Sequence, residues 1–137
     1  EVDKTRVTVT SVSEILTLAG HGLEGEIKEA KGDLEGAIAS YLLAVELEDK
    51  GNYTEPPAWA QPMRHYMGAA LLKAGNPEEA EKTYRRDLRW NAENGWSLYG
   101  LHESLADQGK TEQAAEAFAR YEAAWKHSDT ALTASRK

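Results

Sequence analysis

The sequence predicts an all-α fold of repeated antiparallel helix pairs, and three observations carry the prediction. Alanine and other helix formers dominate after residue 10, while β-branched residues become scarce. The four prolines (Pro56, Pro57, Pro62, Pro77) and most punctuating glycines cluster at a few points. A Gly-x-x-x-x-Ala-x-x-x-aromatic pattern recurs three times in fixed register.

The elements follow in order. Val7, Thr8, Val9 and Thr10 alternate as a strand would, but no second strand candidate exists for them, so residues 1–10 are an extended lead-in. Ser11 and Glu14 form a capping-box signature that opens a first helix running to about Lys31, although Gly20, Gly22 and Gly25 weaken it. Gly32 stops this helix, and Asp33 caps a second that reaches about Lys50. Gly51 to Pro57 is a loop, since consecutive prolines cannot continue a helix. A third helix spans about Ala58 to Lys73, with Pro62 in its opening turn. After Gly75, the run Asn76-Pro77-Glu78-Glu79 supplies a cap, a preset φ and acids at the positive dipole end. That fourth helix reaches about Trp90. Asn94 caps a fifth (about Gly95 to Gln108), and Thr111 caps a sixth to about His127. A short terminal helix from Ser128 or Asp129 to about Ser135 completes the chain. The expected domains are therefore a lead-in (1–10), three helix pairs (about 11–50, 58–91 and 94–127) and a C-terminal capping helix and tail (128–137).

Composition narrows the function. The 137 residues make one domain or part of something longer, and the start at Glu1, without methionine or a signal-type segment, leads us to expect a missing upstream portion. A net charge of −7 argues against binding nucleic acid or an anionic membrane, both of which need surplus basic charge. The absence of cysteine removes disulfides, thiol catalysis and cysteine-ligated metals. No apolar run approaches the roughly 20 residues of a membrane helix.

The repeat is the most informative feature. Gly75 to Gly109, Ala80 to Ala114 and Tyr84 to Phe118 are each 34 residues apart. Gly32 to Gly75, Ala37 to Ala80 and Tyr41 to Tyr84 are each 43 apart, and the proline-containing loop after Lys50 absorbs the excess. Glycine permits the left-handed conformation of a tight interhelix turn. The alanine lets paired helices approach, and the aromatic one turn later fills the space beyond. A pair with one apolar face cannot bury it alone, so pairs stack. A non-repeat bundle could reproduce one such coincidence; three aligned features at constant offset oppose it.

On these residues the chain resembles the tetratricopeptide repeat family from about Ser11 to His127. The second copy matches best (Met67-Gly68, Gly75, Ala80, Tyr84), and the first keeps Gly25, Gly32, Ala37 and Tyr41. In the third, Trp96-Ser-Leu-Tyr99-Gly100 looks like the opening signature, but Gly100 precedes Gly109 by nine residues where the other copies have seven. Either that signature is shifted or His102 replaces the motif glycine. Tyr53 to Trp59 and Asn94-Gly-Trp96 also resemble the carboxy-terminal part of larger bacterial proteins of this type. The resemblance implies a right-handed superhelix whose first helices line a concave peptide groove. Family members that clamp C-terminal carboxylates use Lys and Asn one turn apart; here those places hold Gly22 with Glu26, His65 with Ala69 and Tyr99 with Glu103, so the clamp is absent. The groove candidates are His65, Tyr66, Lys73, Trp96, Tyr99, Glu103 and Asp107, with Glu26 in the first copy. Such an acidic, aromatic groove favours a segment with basic and apolar residues.

Other candidates yield to ordinary explanations. His21, His65, His102 and His127 form no metal-binding pair, and Glu24, Glu26 and Glu29 read as a solvated face between lysines. Lys82, Arg85, Arg86 and Arg89 form a basic stripe, but Glu78 precedes Lys82 and Glu81 precedes Arg85 by four residues, as in common helix ion pairs. Trp90 and Trp125 are expected to stack on the next element, whereas Trp59 and Trp96 open first helices and suit binding better, with structural packing still the ordinary role for both. No phosphate loop, nucleophile elbow or dinucleotide fingerprint occurs. The expected function is a non-catalytic, cofactor-free scaffold that binds a protein or peptide, not nucleic acid or membrane, with self-association through an exposed repeat end. The alternatives are the structural C-terminal cap of a longer solenoid, or a regulatory segment of an enzyme encoded upstream.

Overall fold

The computed structural model describes residues 6–7, 10–51, 57 and 59–136. The described residues are all-helical apart from a minimal two-stranded pairing and form six helices: α1 (Val12–Ala30), α2 (Leu34–Lys50), α3 (Met63–Lys73), α4 (Pro77–Trp90), α5 (Gly95–Asp107) and α6 (Thr111–Trp125). The chain forms two compact units, Glu1–Met63 and Arg64–Lys137.

The lead-in differs from expectation. The alternating run finds its partner within itself: β1 (Arg6–Val7) pairs antiparallel with β2 (Thr10–Ser11), with Arg6 opposite Ser11 and Val7 opposite Thr10. In the first unit, the capping box at Ser11 forms as read, Glu14 N–H donating to Ser11 Oγ (3.2 Å) and Ser11 N–H to Glu14 Oε2 (2.9 Å). The core joins Leu18 of α1 to Ala37, Tyr41, Ala44 and Val45 of α2. Gly25 lies against the Tyr41 ring, where a Cβ would come within 2.4 Å of Cε1. The Tyr41 hydroxyl donates to buried Glu29 (3.1 Å).

The third helix starts at Met63, later than read. Pro62 lies just before the helix, and Gln61, the residue preceding that proline, is pushed out of the helical region, so the helix does not extend back toward Ala58. Residues 52–56 and Ala58, the expected helix start, lie outside the described residues. Met63 N–H donates to Glu48 Oε2 (3.0 Å), and the Met63 side chain packs against Gly22.

The three interhelix turns share one geometry. Gly32, Gly75 and Gly109 have φ of 84°, 74° and 71°. In each, the glycine N–H reaches the carbonyl three residues back (Glu29, Leu72, Ala106), all at 2.9 Å. The next N–H reaches five back (Asp33 to Lys28, Asn76 to Leu71, Lys110 to Leu105), again at 2.9 Å. This is the Schellman closure, which satisfies carbonyls the helix end leaves open. Ala37, Ala80 and Ala114 then donate to the cap carbonyls of Asp33, Asn76 and Lys110, and all three alanines are buried. They occupy equivalent places.

The caps themselves vary. Asp33 accepts from Gly36 N–H, and Asn94 from Trp96 and Ser97 N–H. Asn76 makes no side-chain cap bond, so Pro77 and the acids Glu78 and Glu79 act there without it. Thr111 is the first residue of α6 and not its cap; Lys110 holds that place with no side-chain bond.

The second unit centres on Tyr84 of α4, whose ring lies between two glycines. A Cβ at Gly68 of α3 would come within 2.4 Å of the ring, and one at Gly100 of α5 within 2.2 Å. Gly68 to Tyr84 repeats the sixteen-residue step of Gly25 to Tyr41, and the third copy has His102 and Phe118 at that step, ring centroids 4.8 Å apart. His102 therefore stands, by spacing and contact, where Gly25 and Gly68 stand. Gly100 serves a different contact, with the tyrosine of the preceding copy.

Glu81 joins α4 to the α5–α6 turn. It accepts from Arg85 (2.7 Å), Gln108 (2.9 Å) and Lys110 (2.7 Å), and its side chain is 13% exposed. Burial opposes ionisation, but hydrogen bonds from Lys110, Arg85 and Gln108 outweigh it and bring the carboxyl down to about 2. Its folded value lies below the ordinary one, so its contribution is complete above pH about 4.5 and disappears as pH falls toward 2. Glu81→Gln should cost about 1 kcal/mol at pH 7, a modest figure because Arg85 and Lys110 are partly solvated, and nothing near pH 2. Urea denaturation at both pH values checks this; an equal loss at each would remove the ionic explanation.

Candidate functional site

The face formed by the first helices α3 and α5 of the second unit is occupied by the end of the chain. No terminal helix forms there: α6 ends at Trp125, and residues 126–136 are turns, bends and irregular backbone. Ser128, Asp129, Thr130, Thr133 and Ser135 crowd this stretch, and such side chains compete with helical backbone bonds. Ser128 N–H donates to Trp125 O (2.8 Å), Thr130 N–H to Ser128 Oγ (3.1 Å), and Trp125 Nε1–H to Thr130 O (2.6 Å). These bonds turn the chain back.

Beyond the turn, three side chains anchor the tail. Leu132 is buried with Leu98 and Tyr121, beside Leu88, Trp96, Tyr99, Phe118 and Trp125. Ser135, 3% exposed, shares a buried hydrogen bond with the Tyr84 hydroxyl. The Arg136 guanidinium lies 5.5 Å from the centroid of Tyr66, a cation–π contact. Between the tail and the helices remains a cavity of about 180 Å³, lined among others by Ala69, Leu72, Tyr99, Glu103, Thr133 and Ala134.

The groove candidates separate into distinct groups. Tyr99 and Glu103 line the cavity, and Tyr66 lies under Arg136 of the tail. Tyr99 also packs edge-on against Tyr121 (5.4 Å), and burial together with the Glu103 charge pushes its phenol above the usual value. Trp96 is half-buried and packs edge-on against Trp125 (5.5 Å), which makes it a packing residue. Lys73 and Asp107 are exposed last residues of α3 and α5. Glu26 is exposed on α1. His65 is not at the surface: it is 1% exposed, and its Nε2 lies 3.2 Å from Asp87 Oδ2.

Asp87 anchors a buried polar network behind this face. The same Oδ2 accepts from Ser97 Oγ (2.6 Å), and Oδ1 accepts from Asn91 Nδ2 (2.9 Å). Burial opposes the charge, yet hydrogen bonds from His65, Ser97 and Asn91 hold the carboxyl below its ordinary value. His65 Nδ1 has no hydrogen-bond partner, so the ring enters the network through Nε2 alone. Sequence reading missed this network, although one signal was present: Asp87 continues the Ala80, Thr83, Tyr84 spacing, a charged residue on an apolar face.

The remaining candidates resolve locally. Lys82 pairs with Glu79 (2.6 Å), not with Glu78, while Arg85 pairs with Glu81 as read. Glu24 pairs with Lys28 (2.8 Å), and Glu29 accepts from Tyr41. Trp90, expected to stack on the next element, is 72% exposed. Among the described residues, no group of three or more His, Asp or Glu could hold a metal ion, and no helix is long and apolar enough to cross a membrane. No protein-family model matches the chain, and no curated protein matches it.

Proposed function

We propose that the chain is a tetratricopeptide-type scaffold that binds a peptide or a neighbouring domain non-covalently on the first-helix face of α3 and α5. The observation that carries this reading is the tail itself. Leu132 packs among side chains of α4, α5 and α6, Ser135 reaches Tyr84 of α4, and Arg136 lies over Tyr66 of α3. The second unit thus accommodates a non-helical segment through an apolar, a hydroxyl and a basic side chain beside α3 and α5. Glu103, 47% exposed at the cavity, adds negative charge beside the aromatic surface. Such a surface selects basic and apolar segments through charge complementarity and cation–π contact. No cofactor enters the reading.

A randomised octapeptide library titrated against the full chain tests it. Peptides rich in Arg and Leu should bind best, and Glu103→Lys should weaken them by about tenfold, the equivalent of about 1.4 kcal/mol. Acidic peptides binding best, or a preference unchanged by Glu103→Lys, would place binding elsewhere.

A second reading has its own observation. Leu16, Leu23 and Ile27, spaced seven and four residues apart on α1, are 59%, 60% and 45% exposed. A helical stripe of this kind suits a neighbouring repeat, as in the structural cap of a longer solenoid.

A further inference from the structure

We propose that the segment Leu132–Arg136 is an internal stand-in for the ligand, displaced by a partner segment with an aliphatic residue, a hydroxyl three residues later and a basic residue next. The inference rests on the peptide-binding reading above and deepens it by naming the ligand class. Each anchor uses a different interaction: Leu132 by burial, Ser135 by its bond to Tyr84, and Arg136 by its place over Tyr66. Together they define a spaced pattern that a segment in trans can present.

Two features make the tail a replaceable occupant. Among the described residues, no backbone–backbone hydrogen bond involves residues 129–135. A segment held mainly through side chains opens without breaking a helix or sheet, so its opening belongs to the low-stability end of local unfolding. The tail also fits incompletely. Thr133 and Ala134 are exposed and small, and they border the cavity of about 180 Å³ against α3 and α5. A ligand with a large apolar side chain at the place of Ala134 fills space that the tail leaves open, and gains contact there.

The full chain supplies two tests. In hydrogen exchange, amides of residues 131–136 should exchange about a hundredfold faster than those in the middle of α4 and α5. Exchange of tail amides only with global unfolding would make the segment part of the permanent core and overturn the proposal. The second test uses a synthetic peptide of residues 130–137 and a version carrying Phe at the place of Ala134. Arg136→Glu in the full chain should raise affinity for both peptides by about tenfold over wild type, and the Phe version should bind about threefold or more tighter. Equal affinity of wild type and variant, or no binding to the folded variant, rejects the stand-in role. If Arg136→Glu fails to fold, Ser135→Ala replaces it; failure of both shows an integral tail and likewise rejects the proposal. Library peptides that bind wild type and tail variant alike would sink the tail inference while leaving the peptide-binding reading intact; absence of any binding sinks both.

Discussion

Asp87→Ala should destabilise the second unit by about 3–5 kcal/mol, since removing one member of a buried charged network leaves the others unpaired in a place that water cannot reach. The carboxylate is 1% exposed and accepts from His65, Ser97 and Asn91, which lie on α3, on α5 and just after α4. One side chain thus ties two helices to a third. A loss of this size is a large share of the roughly 5–15 kcal/mol by which domains are stable, so partial unfolding at room temperature is expected. The pH dependence has a definite sign. The Asp87 carboxyl is held below its ordinary value in the fold, so its contribution is complete above pH about 4 and is lost as pH falls through the folded value. The gap between the denaturant curves of wild type and Asp87→Ala should therefore narrow in acid, leaving the part due to the unpaired partners. A cycle with Ser97→Ala should be non-additive by about 1 kcal/mol or more, as for groups sharing one network. Additive losses that stay constant with pH would show that Asp87 acts by volume alone.

Tyr84→Ala should cost about 3–5 kcal/mol by opening a cavity between α3 and α5 and releasing Ser135. The same site makes glycine the informative substitution. Alanine is usually favoured over glycine inside a helix by about 1 kcal/mol, and Gly20, with nothing within 4 Å of an added Cβ, should gain about that much. Gly100→Ala should instead lose about 1–3 kcal/mol, because its Cβ meets the Tyr84 ring, which also lies close against Gly68. One chemical change at two helical positions then has opposite signs. Thermal melts of the two glycine variants decide it, and a Gly100→Ala protein as stable as wild type would mean the ring is not confined as described.

The sequence by itself determined that helices occupy the stretches between Ser11 and His127 and fixed the register of their turns, though not the start of α3 or the non-helical tail. Gly32, Gly75 and Gly109 each supply the left-handed residue that a Schellman closure requires, and Ala37, Ala80 and Ala114 follow at fixed distance. These are local requirements, satisfied within five or six residues, so spacing alone reveals them. The cap of α6 shows the limit: Thr111 has the right chemistry, but the identical turn geometry puts Lys110 at the cap place. The role of Gly100 also needed coordinates, because its spacing suggests the place that Gly25 and Gly68 hold, while it packs on Tyr84 of α4.

Only tertiary structure decided the fate of polar and terminal residues. His65 lies on a first helix, as a groove residue should, yet it is buried because Asp87 and Ser97 meet it from two other helices. The spacing of Leu132 and Ser135 suits one helix face, but both are held by distant partners, Leu98 with Tyr121 and Tyr84 respectively. Trp90 has the composition of a packing residue and no neighbour to cover it. Periodicity reports which side of a helix is apolar; it carries no information about which remote side chain arrives there. The occupied face of α3 and α5 is a consequence of such remote pairings, and so it became visible only once the chain was folded.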